Sequence, residues 1–299
     1  MNLSTTGLIL SADSAIDLHL HTTYSDGRWT SGELMDTLVR EQFALAAITD
    51  HDRADTVEAL QQLALKKHLP VLVGVEMTTL WKDELSGIDE LSGQPNMTDL
   101  LCFGFDPPPS PLNDIAQDLL RRQQENSREV YQNLLQKGYA FPEEPNPLAA
   151  ILEQPGPQQP FALADILQKH GYGAGQPSVG RILLEAGCAM VTNDLAAVVQ
   201  AAHRSGAVCL IAHPGHTDGF VTYDGRMLDK LRQDIPIDGL EVYTPKHTPE
   251  QTAMYLEYAR QQHLLVSAGS DSHKPAKPPI QHPADLCRAL LERLGIQVV

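Results

Sequence analysis

The sequence predicts an α/β fold with a mainly parallel sheet, either open or closed into a barrel, and a helical insertion near its middle. Short apolar runs recur along the chain, helical patterns separate many of them, and proline-rich stretches accompany a central helical region. Alternating strands and helices favour a parallel sheet because each helix returns the chain to the edge where the next strand begins. The 299 residues fit one large barrel or two ordinary domains, and a hydrophobic fraction of 42% excludes disorder as the main state.

Seven apolar runs have the length of buried strands. The predicted strands are Ile16–Leu20, Leu45–Thr49, Val71–Met77, Leu100–Phe105, Ala207–Ala212, Gly239–Tyr243 and Leu264–Ala268. Apolar residues at three- and four-residue spacing predict helices over Ser31–Glu41, Thr56–Lys67 and Thr248–Gln262, with Ser31 as the cap of the first. Strand and helix therefore alternate at both ends of the chain.

The middle of the chain has a different composition. Pro107–Pro111 holds four prolines in five residues, and a second proline-rich stretch runs from Pro142 to Pro160. Helical patterns lie at Leu112–Lys137, Ala162–His170, Val179–Glu185 and Asp194–Ser205. We predict a discontinuous barrel domain of residues 1–109 and 201–299 and a helical insertion of residues 110–200. This insertion is either a cap beside an active site or a structural appendage.

Composition also limits the partners and the compartment. The chain has 22 Lys plus Arg against 38 Asp plus Glu, a net charge of −16, which argues against extended double-stranded nucleic acid and anionic membranes. Its four cysteines are widely spaced, so reduced buried thiols are expected. The pattern of a signal peptide and long apolar runs are both absent from the sequence, and a cytoplasmic protein is therefore predicted.

The twelve histidines are the most informative feature. Asp17, His19 and His21 alternate along the first predicted strand, where residues two apart face the same side, roughly 6.5–7 Å from each other. The two imidazoles can therefore converge on one metal ion, although ordinary polar residues on one strand face are the alternative.

Five further strands carry His, Asp or Glu at or near their C-terminal ends. These residues are Asp50, His51 and Asp52, then Glu76, then His213 and His216, then Glu241, then Asp271 and His273. In parallel α/β folds that face of the sheet is where sites form, so the pattern predicts a metal cluster.

The donor types narrow the choice of cofactor. Nitrogen and oxygen donors without thiolates favour manganese, zinc or iron, of which we predict manganese. Six to nine donors exceed the needs of one ion, so two or three divalent metal ions are expected. Closely spaced metals suit hydrolysis, because they generate hydroxide near neutral pH and clamp the attacking and leaving oxygens.

Short motifs at these positions resemble the PHP (polymerase and histidinol phosphatase) superfamily of metal-dependent phosphoesterases. In the family's order, the matching pieces are Asp17-Leu18-His19-Leu20-His21, Ser25-Asp26-Gly27, Thr49-Asp50-His51-Asp52, Gly74-Val75-Glu76, Ala212-His213-Pro214-Gly215 and Ser270-Asp271-Ser272-His273. Three features resemble the TrpH-like branch of this superfamily. They are the long insertion, Glu241-Val242-Tyr243 with His247-Thr248-Pro249-Glu250-Gln251, and Leu265–Asp271. That branch includes nucleotide phosphatases and the 5′–3′ exoribonuclease RNase AM.

The resemblance implies a distorted (βα)7 TIM-like barrel, the PHP fold, with a helical cap. It implies that His19, His21, Glu76 and Asp271 hold one metal, that Glu76 and His213 hold a second, and that Asp26, His51 and His273 hold a third. These eight residues are the predicted catalytic set. The implied reaction is attack of a metal-bridging hydroxide on phosphorus without a covalent enzyme intermediate.

Two positions depart from the family pattern. The family usually has a histidine before the strand that follows the bridging glutamate, whereas this chain has Asp99, after a hairpin-like insertion from Lys82 to Met97. Asp99 is therefore either a ligand of the second metal or the sign of a weak or empty site. In the insertion, Gln176-Pro177-Ser178 stands where the branch often has Arg-Pro-His, and Arg181 is a candidate replacement for the lost cation.

Four residues are predicted to contact the substrate: Arg181, His216, Lys246 and His247. A solvated surface position is the alternative for Arg181 and His216. The other histidines are predicted to be structural or exposed, namely His68, His170, His203, His263 and His282.

The leading functional prediction is a metal-dependent phosphoesterase acting on nucleotides, such as AMP or 3′,5′-bisphosphate nucleotides, or on the 5′ ends of short RNA. Net acidity favours such a small phosphorylated partner over a long polyanion, whose binding needs many cationic contacts. A phosphatase for histidinol phosphate or a similar metabolite is one alternative. A degenerate metal-binding module with a structural or regulatory role is another, and amide hydrolysis is a weaker one.

Overall fold

The computed structural model describes Thr5 and residues 7–88, 93–142 and 145–299. Residues 89–92 of the predicted hairpin-like insertion, and 143–144 of the second proline-rich stretch, lie outside the described residues. The chain divides into two compact units, residues 1–116 with 193–299 and residues 117–192. The second unit begins a few residues after, and ends a few residues before, the predicted insertion of residues 110–200.

In the described part of the first unit, seven strands form a nearly closed barrel. They are β1 (Ala15–Leu20), β2 (Leu45–Ile48), β3 (Val71–Leu80), β4 (Thr98–Phe103), β5 (Val208–Ile211), β6 (Gly239–Tyr243) and β7 (Leu265–Ala268). Neighbours in sequence are neighbours in the sheet. A parallel bridge between Leu20 and Ser272 brings the two ends of the sheet together.

The sheet is mixed, because β4 is antiparallel to both β3 and β5. The sheet is thus mainly parallel, as predicted, and β4 is the one reversed strand among the seven. The physical reason for the reversal is the connection from β3 to β4. Its described residues contain no long crossover helix, and a direct return of this kind pairs strands antiparallel. Ile88 and Pro95 form an antiparallel bridge within it.

Seven of the ten α-helices among the described residues lie where the sequence predicts them, and those at residues 147–152, 225–234 and 288–293 were not predicted. The ten described helices are α1 (Ser31–Arg40), α2 (Val57–Lys67), α3 (Pro111–Gln136), α4 (Pro147–Leu152), α5 (Gln159–Lys169), α6 (Val179–Glu185), α7 (Leu195–Arg204), α8 (Gly225–Asp234), α9 (Pro249–Gln261) and α10 (Arg288–Arg293). The cap of α1 is Thr30 and not Ser31 as predicted, because Thr30 and Glu33 form a capping box.

Four short strands and four 3₁₀ turns complete the described elements. The strands are Ile9–Leu10 paired with Gln297–Val298, His282–Pro283 against β1, and Asn193–Asp194 against β3. The turns are Ala54–Thr56, Glu84–Ser86, Gly156–Gln158 and Ala284–Cys287.

Strand alternation divides the core of the first unit into an inner and an outer layer. On β5, Val208 and Leu210 join the inner cluster, while Cys209 and Ile211 pack in the outer cluster with α7, α8 and α9. The inner layer is apolar toward the N-terminal ends of the parallel strands. The C-terminal ends of the parallel strands therefore meet at the opposite face of the barrel, where polar side chains can gather.

The second unit has its own hydrophobic core. Val130 and Leu134 of α3 pack with Leu163 and Leu167 of α5 and with Ile182 of α6. The inserted segment is thus helical, as predicted. No helix among the described residues is both long and apolar enough to cross a membrane.

Candidate metal centre

The first group of donors surrounds the end of β1. His19 and His21 are fully buried, and each places its Nε2 close to Glu76 Oε2 of β3, at 2.9 and 3.0 Å. Asp271, which follows β7, places Oδ1 at 3.4 and 3.3 Å from the same two nitrogens. The donor atoms of these four residues lie within 4.8 Å of one another, close enough for one ion.

A second group shares His21 with the first. Its members are His21, Asp26, His51 and His273. His273 Nε2 lies 3.2 Å from Asp26 Oδ2, and the rings of His21 and His273 stack at 4.0 Å. The loop after β1, the end of β2 and the loop after β7 supply these side chains.

A third group joins Glu76 to Asp99 and His213. Glu76 Oε1 lies 3.3 Å from His213 Nε2, which is 3.9 Å from Asp99 Oδ2. Because Glu76 directs Oε2 to the first group and Oε1 to this one, its carboxylate lies between two donor groups. His51, Glu76 and Asp99 also have donor atoms within 4.8 Å of one another.

The antiparallel direction of β4 explains how Asp99 reaches this place. In the register, Leu101 pairs with Glu76 and Asp99 pairs with Thr78, so Asp99 and Glu76 project from the same face of the sheet. Since β4 runs in reverse, its beginning lies beside the C-terminal ends of the parallel strands. Asp99, at the beginning of β4, is thereby placed with donors that lie at or after the ends of the parallel strands.

The donors fit divalent cations. Glu76 and Asp99 are buried, and Glu76 Oε1, Asp99 Oδ1 and His21 Nδ1 have no hydrogen-bond partner within the part of the chain that the structure describes. Buried carboxylates are stable only when paired with positive charge, and buried polar atoms are rarely left unsatisfied. Imidazole and carboxylate ligands in overlapping groups suit manganese, zinc or iron.

Charge coupling within the cluster is strong. Burial lowers the pKa of His21, but hydrogen bonds to Asp271 and Glu76 outweigh it and raise that pKa to about 10. Burial and the charge of Glu76 raise the pKa of Asp99 well above its usual range. The carboxylates therefore hold protons on their neighbours, and a bound divalent cation would displace those protons.

A second layer of carboxylates holds the donors in place. Glu241 of β6 accepts from His19 Nδ1 at 2.9 Å and from the His213 N–H at 2.8 Å. Asp17 accepts from the Ser270 N–H at 3.0 Å, and thereby ties β1 to the loop that carries Asp271. Both Glu241 and Asp17 lie on strands that were predicted from the sequence, but these contacts were not predicted.

The backbone at the ends of the strands is constrained. His213 and Asp271 have positive φ values of 28° and 52°, a region that non-glycine residues seldom adopt. Gly269 allows β7 to approach β1, because a Cβ there would lie 2.2 Å from His19 Cβ. Two predicted ligands, His213 and Asp271, thus occupy strained backbone positions. Gly269 makes room for a third predicted ligand, His19.

Replacing Glu241 by Gln is expected to weaken metal binding about 10- to 100-fold, the usual effect of changing an outer-shell partner of a histidine ligand. The neutral amide keeps the size of the side chain but removes the charge that orients His19 and His213. Isothermal titration with Mn²⁺ measures the affinity, and assays at saturating metal should restore much of the activity. Glu257→Gln, an exposed change on α9, is the matched control. An unchanged affinity would contradict this positioning role.

The four predicted substrate contacts have different surroundings. Lys246 lies at the first donor group, with Nζ 3.0 Å from Asp271 Oδ2. His216 is half-buried, and its ring packs on Phe220 at 4.7 Å. Arg181 is exposed on α6 in the second unit, where its Nε donates to Glu185 at 2.6 Å. Ser178 caps the same helix.

His247, the fourth predicted substrate contact, forms hydrogen bonds with the backbone through its ring. Its Nδ1 donates to the Val242 carbonyl at 3.0 Å, and its Nε2 accepts from the Gly215 N–H at 3.0 Å. Both ring nitrogens are therefore occupied by the backbone. This arrangement holds the turn after His213 against the end of β6.

Overlapping groups of imidazole and carboxylate donors, at the C-terminal ends of the parallel strands of an α/β barrel, define a metal-dependent hydrolase. The chain belongs to the PHP domain family, whose sequence pattern matches residues 17–275. It is accordingly a metal-dependent phosphoesterase, in agreement with the resemblance seen in its motifs.

Characterised relatives are similar along most of their length. The 5′–3′ exoribonuclease Rnm of Escherichia coli strain K12 is 26% identical over 267 residues, which make up 87% of this chain and 85% of that protein. The 3′,5′-nucleoside bisphosphate phosphatase of Chromobacterium violaceum is 25% identical over 298 residues, 95% of this chain and 98% of that protein. A solved structure from Bifidobacterium adolescentis, described as a metal-dependent phosphoesterase, shares the fold with a TM-score of 0.69, 24% identity and 97% coverage of both chains.

Proposed function

We propose that this phosphoesterase hydrolyses phosphate esters of nucleotides, either small nucleotides such as AMP and nucleoside 3′,5′-bisphosphates or the 5′ ends of short RNA. One observation carries the proposal: Glu76 and His21 join three groups of metal donors into one site, with Lys246 at its edge. The relatives named as an exoribonuclease and a bisphosphate phosphatase support a nucleotide substrate.

The donor set supports two or three bound ions, with manganese as the proposed metal. When bound, such ions supply an activated nucleophile and neutralise charge on the phosphoryl oxygens. His19, His21, Glu76 and Asp271 would hold one ion, and Asp26, His51 and His273 would hold another together with His21. Glu76, Asp99 and His213 would hold the ion between them, so that Asp99 replaces the histidine usual in the family.

The chain's own side chains have distinct tasks toward the substrate. Lys246 is positioned to bind a phosphoryl oxygen. Burial lowers the pKa of Lys246, but the charge of Asp271 outweighs burial, so that the pKa is raised. The ammonium group therefore stays charged. Burial, with the charge of Lys246, lowers the pKa of His216 to about 4. His216 is then a neutral imidazole at pH 7 and offers a hydrogen bond without a charge.

The net charge favours a short substrate. With a formal charge of −16 the chain repels a long polyanion, while a few local cations and bound metals attract a single terminal phosphate. We therefore propose action at chain ends or on mononucleotides, with no requirement for an extended nucleic-acid track.

A substrate panel tests this function. Protein loaded with Mn²⁺ is expected to release phosphate from AMP or a nucleoside 3′,5′-bisphosphate, or to shorten a 5′-monophosphorylated oligoribonucleotide. Histidinol phosphate is the comparison substrate for a metabolite phosphatase, and a 5′-hydroxyl oligoribonucleotide is the control for recognition of the end. Lack of activity on every nucleotide substrate at full metal occupancy would contradict the proposal and favour a non-catalytic module.

Replacing Lys246 by Ala is expected to lower kcat/KM about 10- to 100-fold, because a charged hydrogen bond contributes about 1.5–3 kcal/mol. Lys246→Arg should retain part of the activity, since it keeps the positive charge. Steady-state phosphate release measures the effect, with Lys277→Ala, an exposed lysine, as the control. Equal rates for wild type and Lys246→Ala would exclude Lys246 from substrate binding.

A further inference from the structure

Two cysteines face each other on the outer side of the barrel sheet. Cys102 of β4 and Cys209 of β5 are register partners, and their Sγ atoms lie 3.9 Å apart. Both are buried in the layer between the sheet and α7, α8 and α9. At about 3.3 Å per strand residue, Cys209 lies about 13 Å along the chain from His213, away from the metal centre described above.

A histidine and an aspartate complete the surroundings of this pair. His203, near the end of α7, places Nε2 at 2.8 Å from Oδ2 of Asp238, which directly precedes β6. The same Asp238 oxygen accepts from the Cys209 N–H at 2.7 Å. The potential ligand atoms of His203, Cys209 and Asp238 all lie within 4.8 Å of one another.

We propose that Cys209, His203 and Asp238, with Cys102 as fourth donor, form a binding site for a thiophilic divalent metal, with zinc as the expected ion. Two thiolates, an imidazole and a carboxylate are a ligand set that tetrahedral zinc accepts. With Zn–S bonds of about 2.3 Å, two thiolates on one tetrahedral ion are separated by about 3.8 Å, close to the 3.9 Å found here.

The donors differ in exposure in a way that allows entry. Cys102 and Cys209 are fully buried, but the side chains of His203 and Asp238 are 33% and 29% exposed. His203 also lines an open groove with Gln200 of α7. A metal ion can thus meet the imidazole and carboxylate first and then the thiols below them.

Metal binding at this place must displace protons. The Cys209 thiol and then the Asp238 carboxylate, despite partial burial, raise the pKa of His203 to about 9. The neighbouring Cys102, and then burial, raise the pKa of the Cys209 thiol well above its ordinary value. Because cysteine binds a metal as the thiolate and histidine as the neutral imidazole, binding is expected to strengthen as pH rises and to release protons.

Cobalt substitution tests the proposal independently of catalysis. The metal centre described above contains no thiolate, so a thiolate-to-Co²⁺ charge-transfer band in the near ultraviolet would report on the cysteine site alone. Reduced wild-type protein titrated with Co²⁺ is expected to develop this band, and Zn²⁺ should abolish it by competition. Cys209→Ser should lack the band, whereas Cys287→Ser, Cys188→Ser and His19→Ala should keep it.

A second variant covers the case in which Cys209→Ser does not fold. His203→Gln changes a partly exposed ligand and is expected to weaken Co²⁺ binding at the band by at least about 10-fold. Phosphate release by Cys209→Ser or His203→Gln should match wild type, because neither residue lies in the catalytic centre. Absence of the band at saturating Co²⁺, or a band unchanged in these two variants, would overturn the proposal.

Discussion

Replacing Asp271 by Ala is expected to lower phosphoesterase activity by at least about 10³-fold, while the protein remains folded. Asp271 Oδ1 lies within 3.4 Å of both His19 and His21, and Oδ2 contacts Lys246. The change would remove one proposed metal ligand together with the ion-pair partner of Lys246, the lysine proposed to bind phosphate. Metal ions contribute several kcal/mol to such reactions, and about 1.4 kcal/mol corresponds to tenfold in rate.

The control and the readouts separate catalysis from folding. Asp114→Ala changes an exposed carboxylate on α3 and should leave the rate unchanged. Circular dichroism should show the same fold for both variants, and metal analysis should show less bound metal only for Asp271→Ala. Activity of Asp271→Ala within a few-fold of wild type would remove Asp271 from the catalytic set.

Removing the metals with a chelator is expected to abolish activity and to lower thermal stability. Without cations, Glu76, Asp99 and Asp271 face one another across a buried site and depend on protonated neighbours for balance. A ligand present at about 100 times its Kd stabilises the folded state by about 2.7 kcal/mol, so loss of bound metal should lower the Tm by several degrees.

Re-addition distinguishes this effect from damage. Mn²⁺ returned to the chelated protein should restore both activity and Tm, and Glu76→Gln should show a much smaller Tm response. Mg²⁺, which retains its waters and prefers all-oxygen sites, is the comparison ion. Full activity in the presence of excess chelator would contradict dependence on metal.

Much of the fold and the site follows from local sequence patterns. Short apolar runs locate the strands, and Asp17-Leu18-His19-Leu20-His21 places two imidazoles on one face because strand side chains alternate. Donors at the ends of several parallel strands meet at one face, and the structure brings His19, His21, Glu76 and Asp271 together. These inferences need only the period of the strand and the direction of the sheet.

Other features depend on information that a local pattern does not hold. The apolar run of β4 fits a parallel strand and an antiparallel strand equally well. The reversal of β4, and with it the placement of Asp99 beside Glu76, can be known only from the pairing register. The engagement of both nitrogens of His247 depends on a turn formed by a different strand. His203, predicted to be structural or exposed, joins Cys209 and Asp238 only because three separate elements meet there.

The metal content of the chain tests the central claim most directly. The Cys209→Ser variant is used because it lacks the proposed thiolate site. Elemental analysis of this protein, purified without chelator and supplied with Mn²⁺, therefore counts only the ions of the His- and carboxylate-rich centre. We expect two or three ions per chain in this protein and fewer in its Glu76→Gln derivative, since Glu76 lies between two donor groups. Folded protein that binds no metal, or the same number of ions with Glu76→Gln, would contradict the assignment of this cluster as the catalytic metal centre.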